Sequence, residues 1–414
     1  MSTATDAPPQ PPAEPPEVTE GGPPGDSAGS RALAWLAAVG NALVIPVLAL
    51  VTALAVGGLI IVFTDPDTLD EWGSFFGDPL GALAASWNVV YDSYHALWES
   101  SLGSPQAIGR TLVEATPLAL AGLSVALAFR AGLFNIGAAG QLVIGATCAG
   151  WVGFTWDLPS AIHIPLAVLA GFAGGAAWGS IAGVLKARTG AHEVITTIML
   201  NYISYRLLDY ALRSEAFQPA GRDDLISKGV AESARLPEIT VGEVRVHAGL
   251  LLAIAAAVIV WWLLDRSTVG FRLRSVGANP HASRYAGMSV GAMYALAMLL
   301  AGGLAGLAGT VNILGRPSFA LTGGYYAFLG FDAIAVALLG RAHPVGVLGA
   351  AFLFGVLRSG STGMQAATST PVDIIVVIQA LIILFVAAPA LVRSLYHIKA
   401  GRGTGQTFTT GWGA

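Results

Sequence analysis

The chain has 414 residues, of which 54% are hydrophobic and only 11% charged, with a formal net charge of −4. This is the composition of a polytopic membrane protein; it excludes an ordinary water-soluble enzyme, and its scattered basic residues leave no footprint for nucleic acid. The single cysteine, Cys148, lies in an apolar run and excludes a disulfide framework or a thiolate metal site within one chain.

Residues 1 to 30 hold eight prolines and five acids. Such a stretch cannot bury enough apolar surface to repay ordering and reads as a disordered tail. It lacks the basic n-region of a signal peptide. Residues 32 to 63 are almost wholly apolar and exceed the ~20 residues that a helix needs to cross ~30 Å of hydrocarbon. The segment from 64 to 106 carries seven acids and no Lys or Arg, the opposite of a cytoplasmic loop. Its Trp and Tyr residues suggest a partly interfacial helix outside.

Further spans are expected over 108 to 129, 131 to 154 and 161 to 185, the last closed by Lys186 and Arg188 on the cytoplasmic side. In it Gly171, Gly175, Gly179 and Gly183 recur every four residues, a smooth ridge for a neighbouring helix. A fifth span begins at Glu193, and residues 211 to 247 form a mixed-charge loop. Spans six to ten are expected at 248 to 264, 292 to 314, 327 to 339, 345 to 356 and 374 to 392. Between six and seven, Asn279 and Pro280 read as an N-cap and first helical residue of a short inner helix that stops near Gly287. The count gives an all-α polytopic membrane protein of about ten transmembrane helices, both termini cytoplasmic, with Arg316 and Arg358 as outer-side exceptions to the charge rule. Residues 31 to 399 form the transmembrane domain, and 400 to 414 a flexible end.

Three places interrupt the apolar pattern. The run from Gly132 to Gln141 contains Asn135, and irregular backbone at membrane depth survives only where protein buries it or it lines a watery cavity. It reads either as a translocation site or as a turn between helices. On the fifth span Glu193, Thr197 and Asn201 are spaced by four and share one face. Polar groups there mark a pathway by default, although Glu193 alone is also explained as an interfacial cap. The third place, Gly323 to Asp332 with Phe331, matches the first in the other half of the chain, a pairing that suggests an internal repeat as in repeat-built transporters.

No Gly-x-x-x-x-Gly-Lys-Ser/Thr loop is present, so ATP phosphates are not cradled here in that way. No nucleophile elbow or metal-ligand cluster emerges, which leaves no catalytic residues, cofactor or metal to assign. Transport is the better class. The short helix after Asn279 could pass the motion of a nucleotide-hydrolysing partner to the bundle, or be an ordinary inner loop.

Several collinear runs decide among transporters: Pro117 to Gly122, Phe129 to Gln141, Glu193 to Tyr202, Arg274 to Gly287 and Gly330 to Arg341. Together they resemble the permease subunit of bacterial nucleoside and simple-sugar ATP-binding-cassette importers, of the branched-chain-amino-acid-type permease superfamily, over roughly residues 105 to 395. The resemblance implies a paired permease core, homo- or heterodimeric. It also implies a cytoplasmic ATP-binding subunit, an extracytoplasmic substrate-binding lipoprotein and a place in the bacterial inner membrane, with the nucleoside branch fitting best. It further implies that Asn135, Gln141, Glu193, Thr197, Asn201, Phe331 and Asp332 belong to the substrate pathway. ATPase coupling falls to Arg274, Asn279, Pro280, Arg284, Tyr285 and Gly287. The family usually has an acid where Ala139 stands, an Asn at His192 and often an acid at Ala278. Two other classes stay open: an ion-coupled secondary transporter, which needs a carboxylate or sodium cage, and a membrane scaffold. Other permease substrates, such as ribose or branched-chain amino acids, also stay open.

Overall fold

The structure, a computed structural model, describes residues 28–323 and 327–397. Residues 1–27 of the proline-rich tail, the terminal 400 to 414 segment and Gly324 to Tyr326 therefore lie outside the described residues, while 28–30 open a helix. The chain divides into two units, Met1–Ile45 and Pro46–Ala414. The first contributes helical residues from Ala28 onward, the opening of helix α1 (Ala28–Thr64).

The second unit is nearly all helix. After α1 come α2 (Pro66–Gly73), α3 (Pro79–Leu102), α4 (Pro105–Arg130), α5 (Ala138–Thr155), α6 (Ser160–Thr189) and α7 (Glu193–Leu212). The chain continues with α8 (Gly249–Arg266), α9 (Thr268–Ala278), α10 (Pro280–Tyr285), α11 (Val290–Gly315), α12 (Ala327–Leu339), α13 (Pro344–Thr368), α14 (Asp373–Ala387) and α15 (Pro389–Leu395). Among the described residues seven helices are long and apolar enough to cross a bilayer: α1 from Pro46, α4, α5, α6, α8, α11 and α13. Shorter apolar helices run over Leu329–Leu339 and Asp373–Val386.

Local chemistry sets many of these ends. Asp65, Asp78 and Ser104 each accept a hydrogen bond from a backbone N–H three residues on, and each precedes a proline in the first turn. An accepting side chain followed by a donor-free first residue is the arrangement that starts a helix.

The packing centre is α11 laid against α6, with α5 alongside both. A Cβ on Gly175 would come within 2.3 Å of the Gly302 carbonyl oxygen, and one on Gly306 within 2.3 Å of that of Gly171. The glycine ridge expected of α6 is thus met by a second ridge on α11, and the two backbones touch. Lipid tails are as apolar as leucine, so close backbone approach, rather than an apolar seam, supplies the contact.

Four expectations need correction. The span expected to end at 356 continues to Thr368 as α13, because Arg358 is ion-paired within the bundle and does not terminate the helix. The span expected over 374 to 392 is two helices, since Pro389, which has no N–H to donate, starts α15 after Ala388. The third span begins at Ala138, seven residues later than expected. The loop after α7 is not wholly irregular: it folds into an antiparallel hairpin, β1 (Glu238–Val241) with β2 (Val244–His247) in the register Ile239 to Val246. His247, 4% exposed, accepts at Nδ1 from the Gly249 N–H at 3.1 Å. Burial first, and the nearby Arg316 charge second, push its pKa down to about 4, so the ring that anchors the hairpin to α8 is neutral.

Candidate functional site

The break between α4 and α5 is built by two glycines in different segments. At the end of α4 the N–H of Leu133 bonds to the carbonyl of Ala128 and that of Gly132 to the carbonyl of Phe129, both at 3.0 Å. This double bond pattern needs a left-handed residue, and Gly132 supplies it with φ of 74°. A Cβ on Gly132 would meet the Gly277 Cα at 2.8 Å, and one on Gly277 would meet the Arg130 carbonyl oxygen at 2.5 Å. The end of α9 therefore presses directly on the break.

Inside the break two amides close on each other. Asn135 Nδ2 donates to Gln141 Oε1 at 2.9 Å, and Gln141 Nε2 donates to Asn135 Oδ1 at 3.1 Å. The two residues are 0% and 1% exposed. From α7, Asn201 Oδ1 accepts from the Gly140 N–H at 2.8 Å while its Nδ2 donates to the Ile136 carbonyl at 2.9 Å. Thr197, fully buried, donates to the Val194 carbonyl at 3.1 Å and stands behind Gly137, whose Cβ would meet its own at 2.9 Å. The backbone groups of Ile136 and Gly140 beside the break are thereby paired by side chains, which is what such backbone requires in hydrocarbon.

The structure thus brings Asn135, Gln141, Thr197 and Asn201 together as one seam between α5 and α7. In this conformation the seam is sealed. Glu193 belongs to the same face but stands at the start of α7, where it accepts from Lys186 Nζ at 2.8 Å. That pair joins the end of α6 to the start of α7.

The other half of the expected set lies on α12. Asp332 faces Arg358 of α13 at 3.5 Å, both side chains largely shielded, while Phe331 is 55% exposed. One residue earlier, Gly330 rests on α5: a Cβ there would fall 2.2 Å from that of Ala139. A carboxylate at position 139 would push α12 away, so Ala139 fits the contact this chain makes. A second ion pair, Glu114 with Arg316, ties α4 to the end of α11.

The coupling candidates form a short surface element. Asn279 caps α10 by accepting from the Ala282 N–H at 2.9 Å, and Pro280 follows as its first residue. At the far end Gly287, φ of 78°, donates to the Arg284 carbonyl while Met288 donates to that of Ser283, both at 3.0 Å. Arg274 is drawn back to Asp265 at 3.4 Å. Tyr285 stands 95% exposed. Sequence reasoning missed three contributors: Lys186 and Arg358, whose partners lie on other helices, and Gly277, whose signal was only a glycine beside Ala278 in a polar segment.

Comparison with known proteins completes the picture. The family described as branched-chain amino acid transport system / permease component matches residues 107–387. The guanosine ABC transporter permease protein NupP of Bacillus subtilis is 40% identical over 351 residues, 85% of this chain and 94% of that protein. The nucleoside ABC transporter permease protein NupB of Lactococcus lactis is 38% identical, over 80% of this chain and 94% of its own length. The glucose ABC transporter permease protein TsgB13 of Haloferax volcanii is 36% identical, over 82% of this chain and 86% of its own. No solved structure matches. With a matched region that runs from the first turn of α4 to the end of α14, this multi-pass membrane chain belongs to the branched-chain amino acid transport system permease family.

Proposed function

We propose that the chain is the permease subunit of an ATP-binding-cassette importer that carries nucleosides into the cytoplasm across the bacterial inner membrane. Two relatives at 38% and 40% identity bear nucleoside or guanosine names, which favours this solute class over the glucose of the third. A second permease, identical or not, completes the core; a separate cytoplasmic subunit hydrolyses ATP, and an extracytoplasmic lipoprotein delivers the solute. We count α7, α12 and α14 as crossings beside the seven long helices, ten in all; an even count puts both termini on one side, and the basic residues of the short loops favour the cytoplasm for it.

The observation that carries the reading is the contact of Gly277 with Gly132. The exposed α10 follows α9 at Asn279, α9 presses on the break, and the break is bonded through Asn201 to α7. A push on Tyr285 or Arg284 thus has a short, stiff route to the amide seam. Asn135, Gln141, Thr197 and Asn201 act on the passage by fixing α7 and the broken segment, and they part when the stroke arrives. Phe331 and Asp332 flank the same region from α12.

The test is transport by the assembled complex in proteoliposomes with ATP inside the compartment that faces the ATPase. Labelled guanosine should accumulate, glucose should not, and a protonophore should leave the rate unchanged. Uptake that collapses with the protonophore at constant ATP would return the chain to the ion-coupled class.

A further inference from the structure

Helix α8 carries an apolar outer side down to a charged elbow. Leu251, Ile254, Val258, Ile259 and Trp262 are between 44% and 61% exposed. Val258, Trp262 and the exposed Arg266 are spaced by four, so the guanidinium stands at the foot of that side. The 18 residues of α8 rise about 27 Å at ~1.5 Å each, close to the ~30 Å of a hydrocarbon core. Trp261, Trp262 and Arg266 therefore come together at headgroup depth, where amphipathic rings settle.

The charge at this end is not neutralised. Asp265 is the only acid between Gly249 and Met288, and it accepts from Arg274 Nη1 at 3.4 Å. Arg266 and Arg272 have no ion-pair partner among the described residues. Arg266 lies instead over the Trp261 ring, its Cζ 5.8 Å from the centroid, an attraction that leaves the N–H edges of the guanidinium for a phosphate.

Ser267 fixes the elbow. Its Oγ donates to the Leu263 carbonyl at 2.6 Å and accepts from the Gly270 N–H at 2.9 Å. A Cβ on Gly270 would meet the Leu264 Cα at 2.7 Å, so the first turn of α9 lies directly on the last turn of α8. Phe271, 56% exposed, stands opposite the buried stripe of Gly270, Leu273 and Val276, and the exposed Arg272 flanks it. An aromatic ring and a free cation are thus repeated on α9.

Position selects the occupant. The patch continues an apolar side of a membrane helix, so a lipid reaches it without leaving the bilayer. Two unneutralised guanidiniums beside aromatic rings suit an anionic headgroup; a zwitterionic one brings its own cation and gains less. We propose that the elbow between α8 and α9 binds an anionic phospholipid of the inner leaflet, with Arg266 and Arg272 on the phosphate and Trp262 and Phe271 against the acyl chains. Near its other end α9 carries Gly277, in contact with Gly132. The bound lipid therefore sets the fulcrum from which α9 bears on the break. That regulatory part rests on the importer reading above; binding of the lipid does not.

The experiment uses the complete importer in nanodiscs of phosphatidylcholine, with or without phosphatidylglycerol as a minor component. Native mass spectrometry counts the phosphatidylglycerol that stays bound, and solute-stimulated ATP hydrolysis reads its effect. Retained phosphatidylglycerol should fall at least fivefold in the double variant Arg266→Gln with Arg272→Gln. It should be unchanged in Arg188→Gln, which alters an exposed arginine at the end of α6. Hydrolysis by the unmodified importer should rise at least threefold with phosphatidylglycerol. The double variant should lose that gain while its rate in phosphatidylcholine alone, its melting and its subunit composition stay the same. Arg266→Lys with Arg272→Lys keeps both charges and should keep at least half of the gain. Equal retention in the Gln double variant overturns the site, and so does loss of the ATP-hydrolysing subunit from it, which would make the patch a protein interface. Displacement of the lipid by millimolar glycerol 3-phosphate would make it a soluble phosphate site and overturns the lipid assignment. Lost retention with the hydrolysis gain intact removes the regulation and leaves the site. If solute stimulates no hydrolysis in any bilayer, the importer assignment fails by itself, and the lipid count still decides the site.

Discussion

Asn201 serves two backbone groups with one amide, accepting from the Gly140 N–H and donating to the Ile136 carbonyl. Replacing it by Leu fills the volume and leaves a buried donor and a buried acceptor unpaired, each worth about 1–3 kcal/mol. Asn201→Leu should therefore lower the midpoint of thermal unfolding in detergent and abolish guanosine uptake, whereas Ile195→Leu, on the exposed side of the same helix, should change neither. Unaltered melting and uptake in Asn201→Leu would show that the seam holds nothing. The spacing of Glu193, Thr197 and Asn201 made their common face legible in the sequence. What that face looks at was not legible, because only the packing of α5 against it decides between solvent and protein. The acid was the weakest guide of the three: its partner Lys186 stands seven residues upstream, across the α6 to α7 turn.

At the scale of helices, the α6 ridge was readable from its four-residue period, and its partner was not, since Gly302 and Gly306 on α11 are spaced alike but sit in a run that any apolar helix could contain. Their contact is where the bundle tolerates least. Gly306→Val places branched atoms where even a Cβ lies 2.3 Å from the Gly171 carbonyl oxygen; overpacking of this kind costs about 1–3 kcal/mol or more. The fraction of folded, membrane-inserted protein should fall severalfold by detergent-solubilised size-exclusion profile. Gly349→Ala, where nothing lies within 4 Å, is the matched control and should be silent. Helix ends were harder. The polar run after Arg358 mimics the end of α13, and the cue that would have extended it, Asp332, sits 26 residues earlier on a different helix.

Over the whole molecule, the order of motifs was enough to place the chain among permeases, and the distances between them were not enough to connect them. The contacts join three pieces in series, α10 with α9, the break, and α7, and these are the relay proposed above. Because Tyr285 is 95% exposed, it contributes little to folding. Tyr285→Ala should therefore leave melting unchanged, while solute-stimulated ATP hydrolysis by the assembled importer drops at least fivefold. Full stimulation in that variant would remove α10 from the relay.

The ion pairs described on the membrane helices also have an electrical meaning. Lys186 with Glu193, Glu114 with Arg316 and Asp332 with Arg358 each join opposite charges that two neighbouring helices contribute. A lone charge carried across the bilayer would exchange about 2.3 kcal/mol with each 100 mV of membrane potential. Two neighbouring helices that shift together with both members of a pair carry almost no net charge through the field. In the importer proposed above, a stroke of helices so paired should run at the same rate in an energised cell and a depolarised one.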